Sequence, residues 1–143
     1  KLAAAERFGA VPIDGRGDVV AAVRAAGGAD VALELVGIAA LVRSGVAVLD
    51  LGGRAVAVGI TSDEFGLDPF RDLVLAERSI VGSADHLAGE VVEVLAMAAD
   101  GRIDIGAAIT ARVPLEVDAV NAAMDRLEGF GDDIRTVIVA GPG

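Results

Sequence analysis

The residues of this chain that bear on chemistry are an acid inside an apolar run, glycines that close such runs, and a lone histidine near a serine and an aspartate. Glu34 lies within DVALELVG, Asp30–Gly37. A carboxylate placed there needs either a hydrogen-bond donor or an approach to a ligand, because burying it unpartnered is costly. Gly37 ends that run, Gly59 stands near the end of RAVAVGI, Arg54–Ile60, and Gly82 follows the short run Ser79–Val81. A glycine just past a buried strand lets backbone approach a ligand closely, or simply supplies a turn that needs positive φ; both readings stay open. Ser83, Asp85 and His86 have the composition of a nucleophilic triad. Triad members converge from different elements, however, and three near neighbours around a helix start do not align that way. Helix capping accounts better for Ser83 and Asp85, and solvent for His86 in a first helical turn. With His86 the one histidine and no cysteine in the sequence, a metal site would have to be completed wholly by carboxylates. Neither GxGxxG nor GxxxxGK[ST] occurs, so the phosphate-binding turn of a complete nucleotide domain is not in this chain.

The elements that must position these residues centre on Asp30 to Ile60. Both runs are rich in valine and leucine and apolar at nearly every position, the pattern of strands covered on both faces in a parallel sheet. The connector Ile38–Gly53 is long enough for a crossover helix and too long for a hairpin, which predicts a βαβ unit with a tight turn at Gly52-Gly53. A right-handed crossover sends the ends of both strands, with Gly37 and Gly59, to one edge of the sheet, and open α/β sheets bind ligands at that edge.

Upstream, the sequence predicts a helix over Lys1–Phe8, a short strand at Val11–Ile13 closed by Asp14-Gly15, and a helix capped by Asp18 that ends at Gly27-Gly28. Downstream, Asp68 and Pro69 open a helix running to about Ala76. Ser79–Val81 reads as a third strand of the same polarity. Asp85 is expected to cap a long helix, His86–Asp100, whose Leu87, Val91, Val94, Leu95 and Ala98 share a face. Strands at Ala108–Val113 and Ile134–Ala140 then flank a helix over Val117–Leu127 with Val117, Val120, Met124 and Leu127 on one core-facing stripe.

With 143 residues, 54% hydrophobic and 24% charged, the chain suits a globular protein with a sizeable core. A formal charge of −10 argues against a nucleic-acid or anionic-membrane surface, which would call for basic clusters. Every apolar run is broken well short of the roughly 18 residues that a transmembrane helix requires. Disulfides and thiolate zinc sites are excluded within the chain by the absence of cysteine. The first residue, Lys1, already reads as the body of a helix, and we expect part of a longer protein to precede it.

The segments KLAAAERFGA, GGADVALELVG, LGGRAVAVGI, LDPFRDLVLAERSIVGS and ITARVPLEVDAVNAAMDRLEGFGDDIRTVIV stand in the order used by a known family. Through essentially its whole length the chain resembles the C-terminal, cofactor-domain portion of the zinc-type medium-chain alcohol dehydrogenases and their quinone-reductase-like relatives. The resemblance implies an α/β fold, the later part of a Rossmann-type doubly wound parallel sheet whose first strands and glycine-rich turn lie outside this chain. Residues 1–106 would form a partial nucleotide-binding domain, and 107–143 a C-terminal segment returning to the catalytic domain. It implies hydride transfer between an alcohol carbon and the nicotinamide C4 of NAD or NADP, with zinc polarising the alcohol oxygen on ligands outside this chain. The chain alone is then not expected to be an active enzyme. The family also implies a small alcohol or aldehyde substrate, a homodimer or homotetramer, and a cytoplasmic protein.

Residue by residue, Leu35, Val36 and Gly37 are similar to the loop that walls the adenosine and ribose side of the cofactor. Val58, Gly59 and Ile60, with Ser79, Val81 and Gly82, are similar to the strand ends whose backbone holds the nicotinamide and its carboxamide. Arg135 is similar to the arginine that reaches the pyrophosphate, a role suited to a guanidinium because it stays charged and can give a phosphate two parallel hydrogen bonds. From the residues alone Arg135 reads as a solvated arginine at a strand start, and two other classes stay open: a non-catalytic α/β interaction domain and a Rossmann-like methyltransferase fragment.

Overall fold

The computed structural model describes residues 1–129 and 131–141. The chain divides into two compact units, one of residues 2 and 11–85, the other of residues 1, 3–10 and those from 86 on. Helix α1 spans Leu2–Arg7 and stops before Gly9, as its composition predicts. The expected strand at 11–13 does not form. Three residues make a strand only against a neighbour, and no described strand pairs with them; Val11 is 82% exposed.

In the first unit, α2 (Val19–Ala25) is capped as expected, the Asp18 side chain accepting from the Ala21 N–H at 2.9 Å. Strand β1 (Ala29–Glu34), helix α3 (Ala39–Val48) and strand β2 (Leu49–Ala57) make the βαβ unit. With β3 (Ser79–Gly82) they give a parallel three-stranded sheet in the order β1-β2-β3. The alternation of helix and parallel strand makes the chain α/β, as the pattern predicts. Helix α3 buries Ala39, Val42 and Val46, spaced to share a face, and Val46 packs with Leu49 and Ala55 of β2 in the core. Arg24 of α2 closes the far end of the unit, donating to the Ala47 and Leu49 carbonyls at 3.0 and 2.8 Å and pairing with Asp50 at 3.1 Å.

Several boundaries differ from the pattern for physical reasons. Strand β2 begins at Leu49 rather than Arg54, so Gly52-Gly53 lies inside the strand. The register jumps from Ala29↔Leu49 to Val31↔Arg54, and Gly52 (φ +73°) carries the extra residues as a bulge. β1 is an edge strand rather than one enclosed on both faces: Val31 and Leu33 are 56% and 62% exposed. Asp68 caps the following turn, accepting from the Phe70 and Arg71 N–H groups at 3.0 and 3.1 Å. That turn is not an α-helix, however; residues Pro69–Leu73 are wound more widely and Val74–Ala76 more tightly.

The second unit holds α4 (Ala88–Ala99), β4 (Ile109–Pro114), α5 (Val117–Glu128) and β5 (Arg135–Val139), with β4 and β5 paired in parallel. Asp85 does not cap α4. Its backbone is left-handed (φ +53°), and the helix starts two residues later than its expected capped start would place it, with Glu90 accepting from the Leu87 N–H at 2.6 Å. The expected apolar faces of both helices are open: Leu87, Val94 and Leu95 at α4, and Val117 and Met124 on α5, are exposed. In α5 it is Ala123, outside the predicted stripe, that is buried. Helical periodicity marks a face that can be covered, and no described element covers these. Among the described residues no helix is long and apolar enough to cross a membrane.

Candidate functional site

Strand β1 ends at Glu34 because its own side chain takes over the next backbone donors. Glu34 Oε1 accepts from the N–H groups of Val36, Gly37 and Ile38 at 2.9, 2.8 and 3.4 Å, so these amides turn inward instead of continuing a ladder. The Glu34 carbonyl meanwhile accepts from Val58 and Gly59 N–H at 2.9 and 3.0 Å, which ties the exit of β2 to that of β1. The reading of Glu34 as a buried carboxylate with donors holds.

Gly37 sits at φ +85°, and a Cβ there would collide with the Ile60 carbonyl; a Cβ on Gly59 would collide with Gly37 and stand 2.7 Å from Glu34 Oε2. The two loop segments are therefore in glycine-to-glycine contact.

Beside them, the ends of β2 and β3 open a cleft of about 630 Å³ lined by Ala57, Val58, Gly59, Ile60 and by Gly82, Ser83, Ala84 and Asp85. The Ser83 N–H donates to the Ala57 carbonyl at 2.9 Å, extending the ladder one step past β3. A Cβ on Gly82 would meet nothing within 4 Å. Two of the lining residues are glycine and two alanine, Val58 and Ile60 are the larger apolar ones, and the one charged residue is Asp85.

Of the sequence-predicted residues, Val58, Gly59, Ile60 and Gly82 come together in this cleft. Ser79 and Val81 do not line it; Ser79 is at the opposite end of β3, paired with Arg54. Leu35 and Val36 line a separate apolar hollow of about 220 Å³ with α2 and α3, and Gly37 holds the junction between the two loops. Arg135 lies in the second unit, exposed at the start of β5 and in register with Ile109. Sequence reasoning missed Ser83, Ala84 and Asp85 as lining residues, having assigned Ser83 and Asp85 to helix capping. The available signal was their position directly after a glycine-bearing strand end. No group of three or more histidine, cysteine, aspartate or glutamate side chains able to hold a metal occurs among the described residues. These residues thus do not compose a zinc centre.

Comparison with known proteins gives a consistent picture. The family model described as zinc-binding dehydrogenase matches residues 1–100. A probable D-xylulose reductase A of Emericella nidulans is 35% identical over 116 residues, which are 81% of this chain and 31% of that protein. Among solved structures, the alcohol dehydrogenase TADH from Thermus sp. ATN1 superposes with a TM-score of 0.83 at 26% identity, covering 98% of this chain and 41% of that one. The 2R,3R-butanediol dehydrogenase of Bacillus subtilis does so with a TM-score of 0.78 at 26% identity, covering 99% of this chain and 40% of its own. The chain thus spans 31% of the length of the curated relative and 41% of the first of these structures.

Proposed function

The chain belongs to the zinc-binding dehydrogenase family, and from that premise we propose that it is the part of an NAD(P)-dependent alcohol dehydrogenase that forms the nicotinamide end of the cofactor site. The membership favours this over the interaction-domain and methyltransferase alternatives. The observation that carries the proposal is the cleft at the ends of β2 and β3, where Gly82 leaves open space and Gly59, Ala57 and Ala84 keep the lining low. When bound, NAD or NADP supplies the hydride chemistry at nicotinamide C4. The chain's own part is to bind and orient. The N–H groups of Val58, Gly59 and Ser83 are already used at the strand ends, so a carboxamide NH2 would look for its acceptors among the backbone carbonyls of the lining. Arg135 is assigned to the pyrophosphate, Leu35, Val36 and Gly37 to the adenosine and ribose side of the cofactor, and Ser79 and Val81 to the strand whose end holds the nicotinamide.

In this reading residues 1–106 are partial nucleotide-binding domain and 107–143 return to the catalytic domain. The substrate is a small alcohol or aldehyde, zinc is held by residues outside this chain, and the parent is a cytoplasmic homodimer or homotetramer. Titrating NADH and NADPH fluorescence against the full-length protein tests it. One of the two should bind, and Gly82→Val, which fills the open space, should weaken binding at least tenfold. A protein that binds neither cofactor overturns the proposal.

A further inference from the structure

Glu34 is the buried charged side chain of the described residues, 7% exposed, and no step of the proposed activity uses it. Its two oxygens have different surroundings. Oε1 gathers the N–H groups of Val36, Gly37 and Ile38. Oε2 is sealed from solvent without a hydrogen-bond partner among the described residues, and lies where a Cβ on Gly59 would come within 2.7 Å of it. An uncompensated carboxylate oxygen is costly to bury. The packing that buries it, Gly59 against Gly37, is also what brings the loop after β1 onto the wall of the cleft.

We propose that Glu34 is a positioning residue: its carboxylate holds the loop 35–38 against Gly59 and so fixes the backbone of residues 58–60 that lines the cleft. The chain of contact is short. Oε1 sets the amides of 36–38, Gly37 bears on Gly59 and on the Ile60 carbonyl, and residues 57–60 form one side of the opening. A leucine of similar size would fill the space but hold none of the three amides, which would then be unsatisfied in a partly buried site. The functional consequence rests on the cofactor reading above; the structural anchor does not.

The experiment uses the full-length protein and reads two quantities for Glu34→Ala, Glu34→Gln and Gly59→Ala: amide hydrogen exchange by mass spectrometry, and NADH and NADPH dissociation constants. In Glu34→Ala, protection should be lost at 36–38 and 58–60 while α3 keeps its protection, and the dissociation constant should rise tenfold or more. Glu34→Gln, which keeps one acceptor oxygen for the three amides, should restore both to within about threefold of wild type. Gly59→Ala should reproduce the local loss from the other side of the contact with Glu34 intact. If Glu34→Ala does not fold, the other two variants decide. Unchanged protection at 36–38 in Glu34→Ala, a Gln variant as damaged as the Ala variant, or an intact loop in Gly59→Ala overturns the proposal. A wild type that binds neither cofactor would sink the function proposed above, while the exchange pattern would still decide the anchor.

Discussion

Two glycine-bearing ends lie on the same edge of the sheet, and they are glycine for different reasons. At the exits of β1 and β2, Gly37 and Gly59 are pressed together and against the Glu34 carboxylate and the Ile60 carbonyl, so the chain itself occupies the space a side chain would need. At the exit of β3, Gly82, paired in register with Ala57, faces nothing within 4 Å. The first pair is explained by folding. The second is not: like Gly15, Gly66 and Gly89, Gly82 borders open space. The same edge thus contains a packed wall and an open end.

Substitutions at the two ends should separate on stability first. Gly37→Ala forces a Cβ onto a backbone at φ +85° and into the Ile60 carbonyl. Strain and overpacking together should cost about 2–5 kcal/mol, read as a lower urea midpoint at unchanged slope. A midpoint equal to wild type would break the comparison. Next in size, Arg135→Ala tests the proposed assignment of Arg135 to the cofactor pyrophosphate. Loss of a charge-assisted pair of roughly 1.5–3 kcal/mol would weaken cofactor binding by about one to two orders of magnitude in the full-length protein, with the fold intact. Equal dissociation constants would make Arg135 the solvated strand-start arginine that its exposure also allows.

Gly82→Ala should be the stability counterpart of Gly37→Ala, with a change within about 0.5 kcal/mol because the new methyl meets open space. A large loss there would mean that Gly82 is held by packing after all. The smallest effect lies far from either end. The Arg16 guanidinium, paired with Asp14 at 2.6 Å, holds that carboxyl below its ordinary range. Because the folded-state pKa is depressed, whatever stability the pair gives is present above the ordinary carboxylate range and is lost as pH falls through the folded value. Both groups are exposed, so Arg16→Ala should leave the melting temperature at neutral pH unchanged. It should still move the NMR titration of the Asp14 carboxyl upward; an unmoved titration would show that the pair is not held in solution.

The order of elements, the βαβ unit, the parallel polarity of the three strands and the capping roles of Asp18 and Asp68 were legible in the residues, because each depends on local pattern and short-range hydrogen bonding. So was the placement of Gly37, Gly59 and Gly82 at one sheet edge, since a crossover connection fixes strand direction. What the pattern could not supply is what depends on partners distant in sequence. Val11–Ile13 has strand composition and forms no strand without a neighbour, and the stripes of α4 and α5 have helical spacing and stay uncovered. The bulge that moves the start of β2 back to Leu49 depends on the register with β1. Glu34 stood out by itself as an acid in an apolar run, and its sequence neighbourhood raised the question of a partner. Its three donors, the amides two to four residues on, form a local contact; that its other oxygen lies against Gly59 and that Gly82 is left open were decided only when β1, β2 and β3 were brought side by side, since residues about 25 apart in the chain meet only in three dimensions.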